Sequence, residues 1–126
     1  MEKKELRSNA ETLLREYRDA ILRKSTFEFM PGVGNNVLQA CAEQLRFTQE
    51  LVAKLRNHKL LGEKLYWIIF VSYMTAHQPK NIEEILSDIA QKYEHIPRRT
   101  YFRLKGRAIS MMDEYLTKMA TEKFAA

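Results

Sequence analysis

The sequence predicts an all-α fold of about five helices around a central buried helix, ending in a helix-turn-helix. Three observations lead there. Apolar residues recur at spacings of three and four along most of the chain, the period of an amphipathic helix. Gly and Pro are scarce, 4 and 3 in 126 residues, which suits long helices better than a turn-rich β architecture. The one segment that also reads as a strand, near residues 66–74, has no second strand to pair with. The length fits a single domain over residues 1–126. Within it, residues 1–60 form an N-terminal helical pair open to dimer or partner contact. Residues 61–126 supply the central helix and the helix-turn-helix.

Leu6, Ala10, Leu13, Leu14, Tyr17, Ala20 and Ile21 place a first amphipathic helix at about Glu5–Lys24. Residues 25–35, STFEFMPGVGN, break that pattern with one Pro and two Gly. They read as an ordered connector whose Phe27, Phe29 and Met30 tuck against the fold. Asn35 or Asn36 is expected to cap a second helix, since an Asn side chain accepts from first-turn N–H groups. Leu38, Cys41, Leu45, Thr48, Val52 and Leu55 form an almost heptad seam along it, and the helix is expected to run to about Asn57.

Gly62 interrupts helical character near His58–Leu61. From Tyr66 onward EKLYWIIFVSYMTA is apolar on nearly every face, so it reads as the central helix. Burial habits place Trp67, Phe70 and Tyr73 in the core rather than on a base-stacking platform. Asn81 followed by Glu84 makes a capping box for a short fourth helix. Ile82, Ile85, Leu86, Ile89, Ala90 and Tyr93 line one face of that helix. Pro97 opens the last helix. Its buried stripe is Tyr101, Leu104, Ala108, Met111 or Met112, Tyr115 and Met119, and residues 121–126 are expected to fray.

Charge narrows the partner. The 21 Lys and Arg against 16 Asp and Glu leave a net charge of +5, which favours nucleic acid, an anionic membrane or an acidic protein. The single cysteine, Cys41, excludes an intrachain disulfide and reads as a small buried hydrophobe in a reducing compartment. The charged N-terminus has no apolar run behind it and is not a signal peptide. The run Tyr66–Met74 falls short of the ~20 residues that span a bilayer. A cytoplasmic protein without membrane attachment is the expectation.

Between Ile82 and Leu116 two helices flank a turn of about three residues, Glu94-His95-Ile96. Small Ala90 is expected where the helices cross closely, and Ile96 to plug the angle between them. This is a helix-turn-helix layout. Residues 82–94 carry four acids against one Lys, whereas residues 97–107 carry Arg98, Arg99, Arg103, Lys105 and Arg107 and no acid. Arg99, Arg103 and Arg107 stand at i, i+4 and i+8, on one face opposite the buried stripe. The cluster sits at a helix N-terminus, where the dipole disfavours cations, so local helix stability does not explain it. An anionic partner does. A major groove about 12 Å wide admits one helix. Arg99 and Arg103 are placed to bind guanine, flanked by Arg98 and Thr100; Lys105 and Arg107, farther along, are placed for phosphates. Gly106 would let a second backbone approach, either DNA or a neighbouring helix.

The stretch IEEILSDIAQKYEHIPRRTYFRLKGRAISMM resembles the C-terminal DNA-binding region of bacterial sigma factors. Ile89-Ala90 and Ala108-Ile109 stand where that region has an Ile-Ala in the helix before the turn and a closing Ala-Leu pair, and Tyr101 and Leu104 stand at its inward positions. The turn is one residue longer than the usual one and lacks its Gly. Over its whole length the chain resembles the ArpU/RinA-type phage transcriptional regulators of Gram-positive prophages. LLREYRDAI, the connector MPGVGN, the central helix and IPRRTYFRLKGRAI carry that likeness. The resemblance implies a DNA-binding role for Arg98, Arg99, Arg103 and Arg107, with promoter activation as the output and RNA polymerase as a further partner.

An enzyme finds no support in the residues. His58, His77 and His95 are scattered through connectors, with no metal-ligand spacing. GVGNN follows no strand and lacks the Lys of a phosphate loop. No cofactor or metal is expected. The alternatives to a regulator are a DNA-binding packaging component of the small-terminase kind and a basic helical module that docks on an acidic protein. Single-stranded RNA binding would need exposed aromatics, and Phe102 is the one aromatic placed for it.

Overall fold

The computed structural model describes residues 9–30, 32, 34–75 and 81–125. They form five α-helices: α1 (Asn9–Glu28), α2 (Asn35–Ala53), α3 (Gly62–Ile69), α4 (Ile82–Lys92) and α5 (Arg98–Ala125). A 3₁₀ turn over Lys54–Asn57 continues α2, and a π-helical turn over Phe70–Met74 continues α3. No strand occurs among the described residues. None of the helices is long and apolar enough to cross a membrane.

α1 and α2 pack as a pair, with Ala10, Leu14, Tyr17 and Ala20 inward from α1 and Cys41, Thr48, Leu51 and Val52 from α2. Thr48 is tolerated at the seam because its hydroxyl donates to the Gln44 carbonyl one turn back, at 3.2 Å, leaving no buried donor unmatched. Gln49 Nε2 donates to Tyr17 Oη at 2.8 Å across the pair. At the start of α1 the Ala10 N–H, which lacks an intrahelical acceptor, donates to Asp113 Oδ1 of α5 at 2.8 Å. A carboxylate there also suits the helix dipole.

α3 and its π turn form the centre, with Leu65, Ile68, Ile69, Val71, Tyr73 and Met74 buried. The π turn holds one extra residue in its coil. Continued as an α-helix, the stripe Leu65–Ile68–Ile69 would bury positions 72 and 73; here Tyr73 and Met74 are buried and Ser72 is partly exposed. Tyr66, Trp67 and Phe70 flank the core half-buried, their rings 5.3–5.8 Å apart. The Arg56 guanidinium lies 3.6 Å over the Tyr66 ring. Against the core from the other side come Ile89, Ile96, Tyr101, Leu104, Ala108 and Met112, all buried. Cys41 is a buried free thiol.

Gly62 has a specific reason. A Cβ built there would lie 2.6 Å from the Arg56 carbonyl oxygen, a backbone atom that cannot swing aside. Gly62→Ala is therefore expected to destabilise the fold by about 1–3 kcal/mol, the usual range for overpacking, read as a lowered urea midpoint.

Three expectations are corrected in the N-terminal half. α1 runs on to Glu28, four residues past Lys24, helped by a Lys24–Glu28 pair at 2.9 Å. Consequently Phe29 and Met30 do not tuck in: they are 87% and 47% exposed, and only Phe27 is half-buried. Asn35 and Asn36 lie inside α2, because Gly34 takes the extended N-cap conformation (φ −74°, ψ 155°) and no side chain caps the helix. The expected start of the first helix and the role of His77 fall outside the described residues. At the other end α5 continues to Ala125, through the residues expected to fray, and Met119 is exposed rather than part of the stripe.

Candidate nucleic-acid interface

α4 begins as its sequence dictates. The Asn81 side chain accepts from Glu84 N–H at 2.9 Å, and its amide donates to Glu84 Oε1 at 3.2 Å. The helix ends at Lys92, and Tyr93–Pro97 connect it to α5. That connection has five residues, where three were expected. Tyr93 leaves helical geometry (φ −138°, ψ −82°), and Pro97 stands just before α5, its carbonyl accepting from Tyr101 N–H at 2.9 Å. Ile96, within the turn, is 2% exposed and belongs to the hydrophobic core. Ala90 is exposed, so no close helix crossing uses its small size. Ile89 carries the packing of α4 instead, with Ile82, Ile85 and Leu86 half-buried beside it. Ala90→Leu is accordingly expected to change stability by no more than about 0.5 kcal/mol, as surface substitutions do; a loss of several kcal/mol in chemical denaturation would restore the close crossing.

The basic residues in the N-terminal half of α5 divide into four settings. Arg99 and Arg103 are exposed, and among the described residues neither pairs with a carboxylate. Arg98 is drawn sideways: it pairs with Glu83 of α4 at 3.6 Å and lies 5.9 Å over the Phe102 ring. Both ends of the pair are over 60% exposed, so it contributes little to stability. Thr100 is half-buried, and Phe102 is exposed, its ring edge-on to Tyr101 at 5.0 Å.

Arg107 reaches the turn after α2, with Nη2 3.4 Å from His58 Nε2. His58 Nδ1 accepts from the Leu61 N–H at 3.1 Å, which in the neutral ring puts the proton on Nε2. That nitrogen then has no lone pair for Arg107, so the guanidinium keeps its donors for an outside acceptor. The contact adds His58 and the exposed Lys59 and Leu60 to the edge of the arginine face. Helical periodicity could not show this, because 49 residues separate the two side chains.

Lys105 lies apart from these. At ~100° per residue it stands about 160° round the helix from Arg103. Its ammonium is 5.2 Å from the Tyr73 ring and 5.9 Å from Tyr101. Burial lowers its pKa from the usual lysine value. The structure therefore separates Lys105 from the arginine face with which it was grouped.

Gly106, two full turns after Arg99, belongs to that face. A Cβ on it would meet no atom within 4 Å, so no neighbouring helix requires the glycine.

Comparison with known proteins finds no matching family model, curated protein or solved structure.

Proposed function

We propose that this chain is a sequence-specific duplex-DNA-binding transcriptional regulator that lays the N-terminal half of α5 in the major groove. The observation that carries the reading is the exposed face of Arg99, Arg103 and Arg107, which among the described residues pairs with no carboxylate. Arg99 and Arg103 supply bidentate donors for guanine O6 and N7. Arg107 and Lys59 face the flanking phosphates, and Arg98 and Thr100 border the reading positions. The resemblance adds phage or prophage genes as targets.

Gly106 supports the same face. A glycine inside a helix costs about 1 kcal/mol relative to Ala, and no internal contact offsets it. A closely approaching DNA backbone gives it a purpose. Gly106→Gln is expected to raise the thermal midpoint while weakening duplex binding; unchanged DNA affinity would remove the glycine from the interface.

Selection of bound duplexes from a random pool tests the reading. A recurrent motif enriched by the unmodified protein, and lost with Arg99→Ala/Arg103→Ala, supports it. An absent motif, or the same motif from both proteins, overturns it.

A further inference from the structure

On the other side of α5, a cavity of about 340 Å³ opens between α1, the π turn, α4 and α5. α1 lends it Arg15, Arg18 and Asp19, the π turn Ser72 and Tyr73, and α5 Lys105. Leu14 and Ile85 give it an apolar wall. π turns are rare in proteins and concentrate at functional sites. This one contains Ser72 and Tyr73, both of which line the cavity.

Its polar groups are mismatched with the protein around them. Arg18 Nε and Nη2 and the Tyr73 hydroxyl are buried and have no hydrogen-bond partner among the described residues. Burying guanidinium N–H groups without an acceptor is costly, even where, as at Arg18, the side chain as a whole is partly exposed. Three cations line the cavity, and among the described residues Asp19 is the one acid lining it. Nearby Glu11 pairs with Arg15 at 3.0 Å. The Tyr73 hydroxyl, its pKa raised to about 12 chiefly by burial and secondly by Glu11, stays protonated and able to donate. Ser72 Oγ is held at 2.7 Å by Tyr101 Oη.

We infer that this cavity binds the phosphate monoester of a small hydroxylated molecule, such as a sugar phosphate or nucleotide. Arg18, Lys105 and Tyr73 present donors to a group that only accepts, the strongest pairing available to a guanidinium. Asp19 suits a hydroxyl of the organic part, and Leu14 and Ile85 suit its carbon frame. The volume lies at the small end of ligand pockets, about 300–1,000 Å³. The inference stands independently of the DNA reading, since its residues share no face with Arg99, Arg103 and Arg107.

Calorimetry at constant ionic strength tests it, with ribose 5-phosphate, adenosine 5′-monophosphate, ribose, adenosine and inorganic phosphate as probes. At least one ester is expected to bind saturably, one per chain, about tenfold or more tighter than inorganic phosphate, and the uncharged compounds not at all. Arg18→Met and Lys105→Met should each weaken the ester by about tenfold or more, the loss of one charge-assisted hydrogen bond. Arg99→Ala/Arg103→Ala should leave it unchanged. Without ligand, Arg18→Met should raise the thermal midpoint, because two buried N–H groups without an acceptor are gone. Should Arg18→Met fail to fold, Lys105→Met decides. The inference is overturned if neither ester binds, if phosphate and ester bind equally, if the cavity variants that fold bind as the unmodified protein does, or if binding is lost with Arg99 and Arg103.

Discussion

Arg99→Ala and Arg103→Ala are each expected to remove about 1–3 kcal/mol of preference for the cognate base at one position. Combined, the two changes should bring the selected site close to a random duplex, with much smaller loss on the random duplex itself. The sites are one helical turn apart and reach different base pairs, so the losses should be roughly additive. Arg107→Ala should behave differently. Directed at a phosphate, it should weaken all duplexes alike and reduce the slope of log affinity against log salt by about 0.9. Competition binding at several salt concentrations separates the two patterns. Equal loss on cognate and random DNA from all three changes would mean that α5 neutralises charge without reading bases.

Ile96→Ala is the change expected to damage the fold most, by about 2–5 kcal/mol. Ile96 is fully enclosed at 2% exposure, in a connection that otherwise has little reason to hold one shape. Tyr93 is half-buried, and Glu94, His95 and Pro97 are exposed. Against a typical total of about 5–15 kcal/mol, that loss is large. Urea denaturation should show a lower midpoint with an unchanged m-value, while Arg103→Ala, on the exposed face, should move stability by no more than about 0.5 kcal/mol. A loss below about 1 kcal/mol for Ile96→Ala would show that the turn is not keyed into the core by this residue.

The parts of the fold that could be read in advance are those governed by a local rule. The α2 seam from Cys41 to Leu55, the Asn81 cap and the stripe Tyr101–Leu104–Ala108–Met112 depend on a 3.6-residue period or on a side chain reaching its own helix's first turn. The connector is not legible in this way, because hydrophobicity alone points Phe29 and Met30 inward. Their fate depended on how far α1 extends, which is set by residues as polar as Lys24 and Glu28. The π turn escaped for a different reason: a segment apolar on every face carries no phase from which a one-residue slip could be seen. Of the candidate site, the arginine face was legible because i, i+4, i+8 spacing is local. The separation of Lys105 follows from the same helical wheel, yet charge had grouped it with the arginines. The His58–Arg107 contact and the α1 wall of the cavity join residues far apart in the chain, and periodicity is silent about such meetings.

α5 has a mechanical consequence beyond its chemistry. Twenty-eight residues long, it is a rod of about 42 Å at ~1.5 Å per residue. The arginines occupy its first third, Lys105 meets the cavity from the opposite side of that same stretch, and Asp113 holds the start of α1 near the middle. A rod pivoting by about 10° at its arginine end carries its far end sideways by about 7 Å, by simple leverage on that length. Any tilt imposed where the arginines are gripped is thus delivered, magnified, to the N-terminal helical pair, and a clamp on that pair resists the same tilt with the longer arm.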